Sequence, residues 1–321
     1  MLLNNESVQN APKRCVWESW DADEHAHNLT DWSQEYDQFS GGAFYGRIDE
    51  IQLGGMQVFK EYTSHAVWQQ CNVWPNSLWL GIPAYRQGCR IDGRPVGDDE
   101  VMCQPGAHDF ELVTPDDFAI YGLVIDKRLL GGLAGAEVLD MLQASPQVLS
   151  RLVLSQHTRK AVAFLIEHLL ARPREHLSVA VHQEILLLAL LEIVHEERPN
   201  TQVTPSYQHR RQVVDCIREH LQVCPSPPVT LMELCKIANV SQRTLQYSFT
   251  SILGISPSRF LRMTRLNRVR RRLAAADGHA TVTEVASDWG FYHLGQFAQD
   301  YRQLFGESPS DTLARCRSSI R

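Results

Sequence analysis

A 52-residue echo constrains this chain more than any other feature. Phe249, Leu253, Gly254, Ser256 and Pro257 recur as Tyr301, Phe305, Gly306, Ser308 and Pro309. Upstream, Thr230 and Glu233 recur as Thr281 and Glu284, at an offset of 51. Each Thr-x-x-Glu is a capping box, in which the hydroxyl accepts from the glutamate N–H and the carboxylate reaches back to the threonine N–H. Apolar residues then share one helical face: Leu231, Leu234, Ile237 and Ala238 in the first copy, Val282, Val285, Ala286 and Trp289 in the second. Turns follow at Asn239-Val240 and Gly290-Phe291, where Asn and Gly tolerate a left-handed backbone. Second helices are predicted over Ser241–Leu253 and Tyr292–Phe305, each closing on Gly with Pro three residues later. The change of offset puts one extra residue in one of the turns. Two helix-turn-helix units result, the arrangement that lays a second helix in a DNA groove.

Between the units, residues 257–273 predict one long helix. Phe260, Leu261, Met263 or Thr264, Leu266 or Asn267, Val269 and Leu273 form its buried stripe. Arg259, Arg262, Arg265, Arg268, Arg270, Arg271 and Arg272 cover much of the rest, with no Asp or Glu between 258 and 276. Such a stripe is either a solvated face or a set of phosphate contacts, and the missing acids favour phosphate. Arg262, Arg265, Arg268, Arg270, Arg271 and Arg272, with Thr244, are the phosphate candidates. On the first recognition helix Leu245, Ser248 and Phe249 turn inward, leaving Gln242, Arg243, Thr244, Gln246 and Tyr247 outward. Arg243 suits guanine and Gln246 suits adenine. On the second, Phe297 and Tyr301 turn inward, leaving Tyr292, His293, Leu294, Gly295, Gln296 and Gln299.

Residues 210–317 resemble the DNA-binding domain of AraC/XylS-type transcription regulators. Thr283-Glu-Val-Ala-Ser-Asp-Trp-Gly-Phe-Tyr-His-Leu-Gly-Gln-Phe-Ala-Gln-Asp-Tyr-Arg-Gln-Leu-Phe-Gly-Glu-Ser-Pro309 carries most of the resemblance. Val240–Phe249 and Leu253-Gly-Ile-Ser-Pro257 support it. The resemblance implies two units in successive major grooves of promoter DNA, and RNA polymerase as a partner of an activator. It places base reading on Arg243, Gln246 and Tyr247 in the first unit and on Leu294, Gly295, Gln296 and Gln299 in the second.

Charge divides the chain in the same place. Residues 207–321 carry 16 Lys+Arg against 9 Asp+Glu, a net of +7, and residues 1–206 carry 15 against 28, a net of −13. A basic DNA reader joined to an acidic module fits this division. The 321 residues leave room for both. Without an 18-residue apolar run or a secretion-type leader, the expectation is a cytoplasmic protein with no membrane span. Eight cysteines without paired spacing suggest reduced thiols. His25-Ala-His27 lacks a third ligand at useful spacing, so no metal is expected.

The expected class is α+β multidomain, with an effector-sensing module at 1–197, a linker at 198–208 and the all-α DNA reader at 209–321. Residues 43–125 predict a small β-barrel or cupin-like roll, with strands at Ala43–Leu53, Met56–Tyr62, Ser77–Ile82, Gly88–Ile91, Glu100–Gln104, His108–Leu112 and Phe118–Ile125. Residues 129–197 predict helices, chiefly Val148–Ala171 and Glu175–Val194. Leu186-Leu-Leu-Ala-Leu-Leu191 is apolar all round, so it packs on the barrel or forms a homodimer surface. Trp68, Trp74, Trp79, Tyr85, Asp109 and Glu111 are candidate lining for an effector. Leu29–Gln38, Gln57–Tyr62, Val73–Pro83 and Phe110–Asp117 resemble the sensor domain of ethanolamine-utilisation regulators, which implies ethanolamine with adenosylcobalamin as effector. The rival is an enzymatic or alkyl-accepting module fused to a DNA reader. It would need a His-rich set, of which 43–125 holds only His65 and His108, or an activated thiolate at Cys71, Cys89 or Cys103. No catalytic residue is assigned.

Overall fold

The computed structural model describes residues 13–85, 88–131, 151–171, 179, 181–187, 205–223, 229–276 and 280–319. Contacts divide the chain into two compact units, 1–36 with 45–201 and 37–44 with 202–321.

The first unit holds strands β1 (Lys13–Ser19), β2 (Ser33–Gln38, its last two residues counted with the second unit), β3 (Gly46–Gln52), β4 (Met56–Thr63), β5 (Val67–Asn72) and β6 (Ser77–Pro83). They are followed by β7 (Arg90–Ile91), β8 (Arg94–Pro95), β9 (Glu100–Pro105), β10 (Phe110–Thr114), β11 (Phe118–Asp126) and β12 (Arg151–Val153). One sheet runs β1-β3-β4-β11-β6-β9-β12 and the other β2-β5-β10-β7-β8. Among the described residues neither closes on itself, so of the two expected forms, barrel or roll, the closed barrel is not found and two open sheets are. Closure needs unbroken pairing round a ring. The smaller sheet instead ends on a two-residue strand whose Pro95 has no N–H to extend the ladder.

The β3–β4 hairpin turns where the sequence predicts it. Gly54 and Gly55 take φ of 46° and 91°, and Leu53 and Met56 exchange both backbone hydrogen bonds at 2.7 and 3.2 Å. β11 is buried along its whole length between β4 and β6. Its Leu123 and Ile125 join Ile51, Val58 and Leu80 in the core, covered by Val162, Ile166 and Leu169 of the helix Gln156–Ala171. Each fully buried Leu or Ile contributes about 1.5–3 kcal/mol there. Residues 181–187 are helical, and Leu186 and Leu187 lie in this same core. Residues 188–191 of the apolar run lie outside the described residues. The helix predicted from Val148 is corrected at Arg151–Val153, which pairs with β9, Leu152 opposite Val101. Local periodicity cannot register a partner strand some fifty residues away.

The second unit is helical. It contains Pro205–Val223, Leu231–Ile237, Gln242–Leu253, Pro257–Ala274, Val282–Asp288, Leu294–Phe305 and Pro309–Ser319. Residues 205–208, expected in the linker, therefore begin a helix. Residues 37–44, expected in the first domain, belong to this unit. The Gln38 backbone N–H donates to Asn267 Oδ1 at 3.0 Å, and Asn267 Nδ2 donates to the Gln38 carbonyl at 3.1 Å. That side-chain amide stands in for a neighbouring strand and satisfies buried backbone groups. Among the described residues no helix is long and apolar enough to cross a membrane.

Candidate nucleic-acid interface

Both helix-turn-helix units form as their local chemistry dictates. Thr230 and Glu233 cap the helix Leu231–Ile237 reciprocally, and Thr281 and Glu284 do the same for Val282–Asp288. Asn239 takes φ of 50° and Gly290 of 79°, the left-handed turns the sequence predicts. The second helices end on Gly254 and Gly306, both left-handed. The first turn occupies residues 238–241 and the second 289–293, so the second carries the extra residue. Ser241 caps the first recognition helix, accepting from the Thr244 N–H at 3.1 Å. His293, at the same place in the second, makes no side-chain cap bond.

Burial fixes which faces turn outward. Leu245, Ser248, Phe249, Phe297 and Tyr301 are buried. Phe249 packs edge-on against Phe260 of the connecting helix with ring centres 5.2 Å apart, and Phe297 and Tyr301 share a core with Leu266, Val269 and Leu273 of that helix. Arg243, Gln246, Leu294, Gly295, Gln296 and Gln299 are exposed, and Tyr247 is 61% exposed. Apart from its chain neighbours and its own helix, nothing among the described residues lies within 4 Å of where a Gly295 Cβ would stand. Arg210 stacks over the Tyr247 ring at 5.2 Å, a contact between residues 37 positions apart with no local sequence signal. Thr244 Oγ1 lies 2.9 Å from Ser241 Oγ and is engaged with the cap.

The arginines of the connecting helix divide. Arg272 is exposed and Arg262 half-exposed, the latter ion-paired with Asp300. Arg265 donates to the Leu261 carbonyl at 3.2 Å and lies over Phe291, with burial, then Arg262, lowering its pKa. Arg268 donates to the Leu221 carbonyl at 2.9 Å and lies over Trp289. Arg271 pairs with Asp37 at 2.9 Å. Arg270 is 7% exposed, pairs with Glu307 at 2.9 Å and lies over the Phe305 ring at 4.6 Å. Its expected phosphate contact is corrected to an internal ion pair, because a guanidinium taken out of water needs a carboxylate beside it. A stripe read from spacing alone cannot reveal these partners.

The Glu307 carboxyl also accepts from Arg315 at 2.7 and 2.9 Å and from Thr312 at 2.7 Å. Burial pushes its pKa up, but Arg315, Thr312 and Arg270 outweigh this and hold it below the ordinary carboxylate range. A carboxyl whose folded pKa is depressed stabilises the fold above its unfolded pKa, about 4, and loses that contribution as pH falls through the folded value. Urea unfolding of the second unit should therefore show its midpoint falling below about pH 4. Glu307→Gln should flatten that acid limb; an unchanged limb counts against the pairing.

The six effector candidates divide between buried and exposed positions. Trp68 is buried and donates to Glu111 Oε1 at 2.9 Å. Trp79 is buried, stacked on Phe110 at 4.8 Å and edge-on to Trp32 at 5.9 Å. Trp74 is part-buried. Tyr85 is 59% exposed, and Asp109 is exposed and accepts from Asn72 at 2.5 Å. A polar cluster missed from the sequence lies inside: His25 Nε2 and the Tyr36 hydroxyl both meet Glu61 Oε1, at 3.0 and 2.9 Å. His25 is buried while His27 is exposed, so this pair is not brought together. Burial pushes the thiols of Cys89 and Cys103 up to about 12 and that of Cys71 higher still. None of these three is an activated thiolate.

Residues 234–315 match the family model described as a helix-turn-helix domain. The chain is 40% identical over 104 residues to the probable thc operon regulatory protein of Rhodococcus erythropolis, covering 32% of this chain and 30% of that protein. It is 36% identical over 117 residues to the XylDLEGF operon transcriptional activator of Pseudomonas putida, covering 36% and 34%. The chain thus spans about a third of the length of these curated relatives. A solved structure of a probable AraC family transcriptional regulator from Rhodopseudomonas palustris CGA009 is 35% identical, over 32% of this chain and 96% of that one, with a TM-score of 0.31. The second unit thus contains a helix-turn-helix domain, similar in sequence to the matching third of these operon regulators.

Proposed function

We propose that the chain binds promoter DNA sequence-specifically through both helix-turn-helix units and activates a catabolic operon, with RNA polymerase as partner and the first unit as effector sensor. The observation that carries this is the exposure of both recognition-helix faces on a common helical base. The connecting helix of 18 residues rises about 27 Å, the scale of one turn of duplex, about 34 Å. Arg243, Gln246 and Tyr247 would read one stretch of groove, and Leu294, Gly295, Gln296 and Gln299 the next. Leu294 and Gly295 suit thymine methyls and groove shape rather than hydrogen-bonded readout.

Electrostatics supplies the test. Affinity for a promoter fragment should fall steeply with salt, by about 0.9 log units per tenfold salt for each phosphate neutralised. Arg272→Ala should reduce that slope by about 1. Arg270→Ala should leave the slope unchanged while lowering stability, because its charge is spent on Glu307. A flat salt dependence would overturn DNA binding of this kind.

For the effector, ethanolamine with adenosylcobalamin rests on the sequence resemblance alone. A thermal shift of the full chain with both ligands, and none with either replaced by an unrelated amine or by cyanocobalamin, would support it. A homodimer rests on the apolar run at 186–191, of which Leu186 and Leu187 are already committed to the first unit's own core. An alkyl-accepting role is disfavoured by the raised thiols.

A further inference from the structure

One carboxylate on the second recognition helix has no counterpart in the list of reading residues. Asp300 is 8% exposed, one turn beyond Gln296. Gln296 Nε2 donates to Asp300 Oδ1 at 2.8 Å, and Arg262 of the connecting helix binds Asp300 Oδ2. Burial pushes the Asp300 carboxyl up, but Arg262 and Gln296 outweigh it and hold the pKa below the ordinary range. The group is therefore ionised at neutral pH, and an ionised carboxylate is an acceptor only.

We propose that Asp300 is a positioning residue that fixes the amide of Gln296 for adenine at one position of the half-site. The inference rests on the DNA-reading role given above. An exposed glutamine ordinarily presents oxygen or nitrogen to its surroundings with equal ease. Beside an ionised carboxylate it cannot, because Oε1 turned inward would face a second acceptor. With Nε2 turned towards Asp300, Oε1 and the remaining N–H are left for the groove. Adenine offers the matching pair there, N6–H2 as donor and N7 as acceptor. Guanine offers two acceptors, N7 and O6, and meets the outward Oε1 unfavourably. Arg262 holds the other carboxylate oxygen, so the connecting helix sets where Asp300 stands and Asp300 sets how Gln296 reads. The i, i+4 spacing of 296 and 300 is the sequence signal, a pairing helices favour.

The test measures binding of the full chain to a selected promoter fragment and to its single-base variants. Gln296→Ala should abolish a preference for adenine over guanine at one position, a preference of about 5- to 150-fold in the unmodified protein. Asp300→Asn, nearly isosteric, gives Gln296 a neighbour that both donates and accepts. It should erase most of that preference at the same position while preferences set by Arg243 persist. Asp300→Glu, which keeps an acceptor-only group, should restore it in part. A preference unchanged in Asp300→Asn, or a loss of affinity equal for all sequences, overturns the positioning role. If the unmodified protein prefers adenine nowhere in the second unit's half-site but Arg243 still reads its own base, this inference alone fails. If no base preference exists at any position, the DNA-reading role fails with it.

Discussion

Arg243→Ala should weaken promoter binding by about 5- to 150-fold and relax preference at a single base position, leaving the rest of the site read as before. Arg243 is the second residue of the helix Gln242–Leu253 and is exposed, with Ser241 capping the helix just before it. The first turn of a recognition helix is the part that reaches base edges. A guanidinium there can donate twice to guanine O6 and N7, and the alanine variant removes about 1–3 kcal/mol of discrimination. The fold should not notice, since the side chain packs into no core. A footprint with a base-substitution series checks this directly. If the series is the same for the variant and the unmodified protein, Arg243 reads nothing.

Phe249→Ala should act oppositely, removing stability first and binding as a consequence. Phe249 is fully buried on the inner face of the same helix, against Phe260 of the connecting helix. Phe260 in turn meets Phe39 edge-on, with ring centres 6.2 Å apart. Truncating a buried phenylalanine costs about 3–5 kcal/mol, counting the cavity it leaves. Whole domains are stable by only about 5–15 kcal/mol. Hydrogen exchange in peptides from 242–274 should therefore rise sharply in the full chain, with a lower urea midpoint. Tyr247→Ala, on the outer face two residues earlier, should change both far less, losing only its exposed contact with Arg210. Protection that survives Phe249→Ala would mean the first reading helix does not depend on this contact.

The two substitutions lie six positions apart on one helix, and their different outcomes follow from a periodicity the sequence shows plainly. What was legible is what neighbouring residues decide. Thr230 with Glu233 and Thr281 with Glu284 close capping boxes within one turn. Asn239 and Gly290 supply the left-handed turn residues. The buried stripe through Phe260, Leu261, Val269 and Leu273 also appears as expected. The strands at Lys13–Ser19, Ser33–Gln38 and Val67–Asn72 escaped notice because polar and charged residues interrupt their apolar pattern. Their pairing partners, not their own residues, make them strands.

The sequence alone determined the doubled helix-turn-helix, because caps, turns and helical faces are settled by interactions spanning about four residues. Tertiary structure alone decided what each arginine of the connecting helix does. Arg270 meets Glu307, Arg271 meets Asp37 and Arg268 meets Leu221, partners at sequence separations that spacing cannot encode. It likewise decided that the β-rich unit is two open sheets, since closure depends on which strand edges meet. A charge or a strand edge is neutral information until the chain brings its partner to it.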